Sequence, residues 1–376
     1  MKTTMKNDDK EMSEIFSKLA ASENLTQQEA QAAASKIFTA LTNKEPNNLA
    51  LLTAFFGALT IKKPYVEELI GTAKAMEETK TVSFHFKVDK PVVTAGGTGG
   101  DTLHTINITT PAIITAAAAG AYTAKSGSKS FSSKTGCIDV AEALGVNVHL
   151  SPNEVEKCVE TIGTGIWASE GIYPWMHPLI ELGSTSPTSQ LLPLLYSLRL
   201  VIATALNPFS LKRQVRGVSE PFTELVAEVL GECGYERAFV VLGYGKTEKT
   251  RIDEFSTLGR NVVTELKING DTETFDVYPE DIGVKKGKIS EIVAKESHQN
   301  NAKAITQVLA GKDTSSRRDI ILLNASSILT LSDVCQDLRD GYELAKQAIE
   351  DGRAFTKLKQ LVQLTSGKQN NLNRLI

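Results

Sequence analysis

Apolar positions recur at helical spacing from the start of the chain. Ala30, Ala33, Ile37 and Leu41 share one face behind Thr26-Gln27-Gln28-Glu29. That quartet is a capping box, in which a hydroxyl and a carboxylate each satisfy a backbone N–H. "NNLALLTAFFGALTI" from Asn47 is apolar nearly all round and predicts a helix that packing must bury. Pro64 opens a third, with Val66, Leu69, Ile70 and Ala73 at helical spacing. Together they predict a small helical domain with apolar faces available for a partner. After Met76 the period shortens. "TVSFHFKV" alternates as a strand, and "PVVTAGG" reads as a short buried strand entering a glycine-rich loop. "TPAIITAAAAGAYTAKSG" predicts a helix ending at Gly120 and then a short strand. Strand, glycine loop and helix in that order make the βα phosphate arrangement of an α/β sheet. "RAFVVLGYG", "NVVTELKING" and "RDIILLNAS" predict further strands. "SPNEVEKCVETIG" predicts a helix with Ser151 as N-cap, Pro152 at its first position, Glu154 closing a capping box and Gly163 as stop. "ELGSTSPTSQ" (181–190) reads as a linker, and no internal repeat is visible.

Composition narrows the class. The 376 residues are 41% hydrophobic and 23% charged, with a formal net charge of -3, which argues against a general nucleic-acid binder. The polar, charged start "MKTTMKNDDKEMSEIF" carries no secretory pattern, and the longest apolar runs are short or broken by charge, as by Arg199 in "LLPLLYSLRLVIATAL". Cys137, Cys158, Cys233 and Cys335 form no CxxC pair, and the five histidines show no helical HxxxH spacing. A disulfide framework or zinc site is therefore not expected, and a reducing cytoplasm fits best.

Three stretches carry candidate chemistry. "TAGGTGGDTLHTINITT" (94–110) sets bare glycine backbone beside Asp101 and a row of hydroxyls. Successive N–H groups make an anion nest, and an acid beside it suits a metal or a sugar hydroxyl. The loop matches neither a Walker motif nor GxGxxG, and a tight structural turn is the plain alternative. "AKSGSKSFSSKTG" (124–136) places Lys125, Lys129 and Lys134 among serines and glycines, which suits phosphate or pyrophosphate, or else a solvated surface loop. Asp253 and Glu254 in "RIDEFS" are adjacent hard oxygen donors suited to Mg²⁺ held together with substrate phosphates, although such a pair is also common on surfaces.

"GTGGD…TINITT", "AKSGSKSFSSKTG", "ALGVNVHLSPNEVEKCVETIGTG", "RIDEFS" and "RRDIILLNAS" fall in an order and spacing that resemble the anthranilate phosphoribosyltransferase family, over almost the whole chain. This family shares a superfamily with the pyrimidine nucleoside phosphorylases. The resemblance implies an α/β protein: a small N-terminal helical domain plus a larger α/β domain with a mostly parallel central sheet. The helical domain would span 1–80 with a return excursion near 170–200, and the α/β domain 81–169 and 201–376. It further implies a homodimer through the helical domain, and transfer of the 5-phosphoribosyl group from phosphoribosyl pyrophosphate (PRPP) to an aromatic amine with Mg²⁺. By matching motif, Gly97, Thr98, Gly99, Gly100 and Asp101 would cradle pyrophosphate and ribose. Asn107, Thr109, Thr110, Lys125, Ser128 and Ser133 would complete the PRPP site, with Asp101 and Lys125 catalytic. Thr109, Asp253 and Glu254 would bind the metal.

The departures fall on the acceptor side. Ser126 and Ser128 stand where the family has His and Asn, and Lys129 where it has Arg. Arg199 is the candidate replacement for the family's acceptor arginine, so Ser126, Ser128 and Arg199 are the acceptor residues. Shorter side chains imply a roomier pocket, hence weak turnover of anthranilate and a different planar aromatic or heterocyclic acceptor. Two other readings stay open. A nucleoside phosphorylase would need a lysine where Thr102 stands, and a non-catalytic nucleic-acid binder would not need Asp101, Asp253 and Glu254 together.

Overall fold

The computed structural model describes residues 7–127, 136–168, 172–176, 178 and 195–376, which fold as two units. The first lies within Met1–Thr81 and Glu170–Asn207, the second within Val82–Ser169 and Pro208–Ile376.

The first unit is helical: α1 (Asn7–Ala20), α2 (Gln27–Thr42), α3 (Asn48–Lys62), α4 (Val66–Glu78) and, from the returning segment, α8 (Tyr196–Ala205). Thr26 caps α2 and its box with Glu29 is complete. In α1, Met12, Ile15 and Leu19 form a buried stripe that the sequence reading did not assign, because charged residues surround it in the sequence. α3 is buried at Leu52, Phe55, Phe56 and Leu59, but Ile61 is 88% exposed, so packing within the chain covers only part of its apolar surface. The returning helix is tied to α3 by polar contacts. Ser197 Oγ donates to the Phe56 carbonyl at 2.7 Å, and Tyr196 OH donates to the Thr60 carbonyl at 2.8 Å. Phe38 and Trp175 stack inside the unit at 4.3 Å.

The second unit is built on a sheet of order β3-β2-β1-β4-β5-β7-β8, with β6 beside β5. The strands are β1 (Val92–Gly97), β2 (Tyr122–Gly127), β3 (Thr164–Ala168), β4 (Arg213–Gly217), β5 (Arg237–Tyr244), β6 (Arg251–Ile252), β7 (Asn261–Leu266) and β8 (Thr272–Val277). β3 through β5 in that order pair in parallel, and β7 and β8 extend the sheet antiparallel. The expected α/β class with a mostly parallel sheet is therefore observed. Helices α5 (Thr109–Ala118), α6 (Cys137–Ala143), α7 (Pro152–Ile162) and α9 (Thr223–Glu232) connect the strands. The C-terminal helices α10 (Ile289–Ile292), α11 (His298–Leu309), α12 (Ser316–Leu331), α13 (Leu338–Glu350), α14 (Arg353–Leu364) and α15 (Gln369–Asn373) follow. α7 starts and stops as expected, with Gly163 in the left-handed region.

Two expected strands are absent. "TVSFHFKV" runs extended without joining the sheet: the N–H groups of His85 and Lys87 donate to Glu156 and Glu160 of α7. Its alternation reflects packing of Phe84 against Trp167 and Phe209 at 4.8 and 4.9 Å. "RDIILLNAS" lies in α12, whose residues from Ile320 to Leu331 are all buried. A helix buried all round shows no clear period, so its run of Ile and Leu is indistinguishable from a buried strand. The linker expected at 181–190 lies outside the described residues.

Glu68 is the polar keystone of the helical unit. Wholly buried, it accepts from the Lys62 ammonium at 2.8 Å and from the N–H groups of Leu25 and Tyr65 at 2.9 and 2.8 Å. Removing one partner of a buried pair leaves an uncompensated charge, so Glu68→Ala should cost about 3–5 kcal/mol of stability. Glu68→Gln, which keeps an acceptor, should cost less. Thermal unfolding of both variants checks this; a loss below about 1 kcal/mol for Glu68→Ala, the worth of an exposed pair, would contradict it.

Candidate active site at the carboxyl edge of the sheet

β1 and β4 both end in glycine, and Asp253 occupies the space this leaves. The Thr98 N–H donates to the Gly217 carbonyl at 3.1 Å, which joins the two strand ends. Across them, Asp253 Oδ2 accepts from the Gly99 N–H at 2.6 Å. A Cβ at Gly97 would stand 2.0 Å from that carboxylate oxygen, and one at Gly217 would stand 1.4 Å from the Asp253 carbonyl. No other residue type fits at either position. Beyond the strand, Gly99 and Gly100 take φ of 75° and 86°, which bends the loop back. Ser219 Oγ donates to the Gly99 carbonyl at 2.8 Å, and Asp101 Oδ2 accepts from the Thr105 N–H at 3.3 Å. The Thr102 N–H donates to the Arg251 carbonyl at 3.0 Å, and the Arg251 N–H donates to the Thr102 hydroxyl at 2.9 Å.

Glu254 turns to the first turn of α5, where its Oε1 accepts from the Thr109 N–H at 3.2 Å. A carboxylate there complements the helix dipole. The next residue, Phe255, is clamped by Asn324 of α12, which accepts from its N–H at 3.1 Å and donates to its carbonyl at 2.9 Å. Lys125, near the end of β2, donates to the Ala95 carbonyl at 3.1 Å and is buried.

The charges in this cluster oppose one another. Burial, and then the negative charge of Asp101, push Asp253 up to about 7. Burial, followed by Asp253 and Asp101, pushes Glu254 well above the carboxylate range, while Lys125 and the Thr109 side chain pull it back. Among the described residues, no three His, Cys, Asp or Glu side chains converge into a complete metal cage. Two surface hollows of about 430 and 450 Å³ lie at Ala294–Ala304 and at Gly367–Arg374 and contain none of the sequence-predicted residues.

A model of the glycosyl transferase family, a/b domain, matches residues 89–355. Anthranilate phosphoribosyltransferase of Symbiobacterium thermophilum is 33% identical over 356 residues, 94% of this chain and 98% of that protein. The enzyme of Acetivibrio thermocellus is 35% identical over 322 residues, 84% and 87% of the two chains. The chain belongs to the anthranilate phosphoribosyltransferase family. The crystal structure of anthranilate phosphoribosyltransferase from Thermus thermophilus matches it at TM-score 0.77 and 26% identity, over 94% of this chain and 99% of that one. The Saccharomyces cerevisiae enzyme in complex with PRPP and Mg has the same fold at TM-score 0.79, with 22% identity over 95% and 98%.

Of the residues that resemblance to anthranilate phosphoribosyltransferases pointed to, Gly97, Thr98, Gly99, Gly100, Asp101, Thr109, Lys125, Asp253 and Glu254 gather in this cluster. Asn107 lies half-buried in the segment entering α5, and Thr110 is buried within the helix. Ser126 sits half-buried on β2, opposite Trp167 of β3. Arg199 belongs to the helical unit, on α8. Ser128 and Ser133 lie outside the described residues. The sequence reading missed Gln214, Arg216, Ser219 and Asn324. A signal existed for the first two: "RQVRG" puts polar side chains inside a short buried strand, where they require partners.

Asp253 holds its proton more tightly folded than unfolded, where a carboxyl titrates near 3.9. Between about 4 and about 7 the folded state therefore binds the extra proton, and stability falls as pH rises through that window. Asp253→Asn keeps an acceptor for the Gly99 N–H and removes the charge. In buffer free of divalent cations its melting temperature should exceed the parent's at pH 8, by a margin that shrinks toward pH 5. A variant less stable than the parent at pH 8 would refute this account.

Proposed function

We propose that the chain transfers the 5-phosphoribosyl group of PRPP to an anthranilate-like aromatic amine, releasing pyrophosphate, in a Mg²⁺-dependent reaction. The observation that carries this is the meeting of Asp101, Asp253 and Glu254 with a glycine turn and Lys125, in a chain of this family. Family and curated relatives support the donor chemistry, since the relatives are named for phosphoribosyl transfer. Buried, mutually repelling carboxylates suit a divalent cation, and two of them without a full cage is the donor set Mg²⁺ takes beside substrate phosphates. Asp253 and Glu254 would hold it, with Asp101 and the Thr109 hydroxyl contributing. When bound, Mg²⁺ neutralises charge on the leaving pyrophosphate.

The chain's own groups do the rest. Those backbone N–H groups of the glycine turn that Gly217 and Asp253 do not already hold, with the Lys125 ammonium, stabilise the pyrophosphate as the anomeric C–O bond breaks through an oxocarbenium-like state. Asp101 holds the ribose or the metal. The acceptor amine needs mainly positioning over the anomeric carbon, so the reaction requires no nucleophile–base dyad. This reading keeps Ser126, Ser128 and Arg199 as the acceptor residues. A homodimer through the helical unit also belongs to this reading, supported by the exposed Ile61 on an apolar α3. So does a cytoplasmic location; no helix among the described residues is long and apolar enough to cross a membrane.

Calorimetry should show PRPP binding that depends on Mg²⁺; binding unaffected by a chelator would refute the metal assignment. Asp253→Asn combined with Glu254→Gln should lower kcat/KM by about 10²-fold or more, as loss of a preorganised charge does, without lowering the melting temperature. Size measurement in solution should give about twice the chain mass, and a strict monomer would contradict the dimer. Anthranilate should be turned over weakly, with another planar aromatic or heterocyclic amine preferred. A kcat with anthranilate of about 1 per second or more would show that the acceptor side has not changed.

A further inference from the structure

β4 reads Arg213-Gln214-Val215-Arg216-Gly217, and all five residues are buried. Strand alternation separates them. Val215 joins the apolar core, and Arg213 on the same side bonds the Leu331 carbonyl and pairs with Asp333. Gln214 and Arg216 take the opposite side. There the Arg216 Nε and Nη2 groups both donate to Gln214 Oε1, at 3.1 and 2.8 Å, and Nη1 donates to the Gly96 carbonyl at 3.4 Å. Two guanidinium donors on one amide oxygen fix the orientation of that amide, because the flipped form would set donor against donor. What remains is the Gln214 Nε2 group, a fully buried donor with no hydrogen-bond partner among the described residues. Such a group costs free energy unless something fills its valence.

Gly96 supplies the space. In the register of the sheet it lies opposite Arg216. A Cβ built on it would stand 3.4 Å from Arg216 Nη1 and 3.5 Å from Lys125 Nζ. Two buried cationic heads therefore flank the position of a side chain that the sequence leaves out. The outer Nη groups of a guanidinium and an ammonium together are donors for a pair of anionic oxygens.

We propose that Arg216, positioned by Gln214, binds an oxyanion of a substrate over Gly96, with Lys125 on the other side. The inference rests on the phosphoribosyl-transfer reading, which leaves two sources for that chemistry: a carboxylate on the aromatic acceptor or a phosphate of PRPP. The two are separated by steady-state kinetics on the full-length enzyme, with PRPP and acceptor varied in turn.

Gly96→Ala is the decisive variant. Its methyl group would make only ordinary contacts, so the melting temperature should hold while the oxyanion is displaced. Arg216→Lys keeps the charge and loses the fork, and Gln214→Glu pairs the guanidinium internally. Each should raise the KM of one substrate about tenfold or more and leave the other KM near its parent value. A rise confined to the acceptor assigns the carboxylate; a rise confined to PRPP assigns the phosphate. Unchanged KM values for both substrates in Gly96→Ala and Arg216→Lys, whatever happens to kcat, would overturn the proposal. If the parent enzyme fails to bind PRPP with Mg²⁺, the transfer reading itself fails. Calorimetric titration of pyrophosphate and of benzoate then tests the oxyanion pocket alone: binding that Gly96→Ala abolishes supports it, and absence of binding to the parent protein overturns it.

Discussion

The close approach of Asp253 to the ends of β1 and β4 is the contact on which the rest of the site depends. Its carboxylate bonds the Gly99 N–H, and its backbone lies against Gly217 at a distance no Cβ permits. This one placement fixes where the glycine turn begins and brings Asp101 within electrostatic range. It also delivers Glu254, the next residue, to the start of α5. Glycine matters here by what it lacks. At Gly97 and Gly217 the missing side chain admits a carboxylate, and at Gly96 it leaves a space flanked by two cations.

The electrostatics of that placement work against folding and in favour of chemistry. Two buried acids share a corner with the half-buried Asp101, and both resist ionisation. Carboxylates that repel one another in a dry site are destabilising by themselves and become favourable when a cation or a cationic transition state arrives. Lys125 offsets part of the charge at Glu254. The surrounding frame is correspondingly stiff: Asn324 clamps the backbone just after the acids, and Ser219 and Arg251 tie down the turn facing them. Preorganisation of this kind keeps charges in place that would otherwise drift apart.

The helical unit follows a different principle. Its core is apolar, held by side chains such as Phe38 and Trp175, with a buried ion pair at Glu68 fixing the entry to α4. Its outer surface retains apolar residues that the unit does not cover. The sheet unit holds the charged cluster, and the helical unit has exposed apolar surface.

Local signals carried much of this fold. The capping boxes at Thr26 and Ser151, the stop at Gly163 and the strand–glycine–helix order around Gly97 are visible in the sequence because each is decided by residues within one or two turns. The joint spacing of "GTGGD" and "RIDEFS" likewise pointed to the chemistry of the site through its resemblance to a family. Residue pattern did not separate the buried helix α12 from a strand, since an element buried on every side has no clear period. Nor did it separate the extended Phe84 segment from a sheet strand, because alternation records one-sided burial whatever lies alongside. The meeting of Asp253 with Gly97, and of Arg216 with Gly96, was settled only by the tertiary structure, in the second case by the pairing of β1 with β4. Residues 120 or more apart in sequence come within bonding distance there, and local pattern contains no information about that distance.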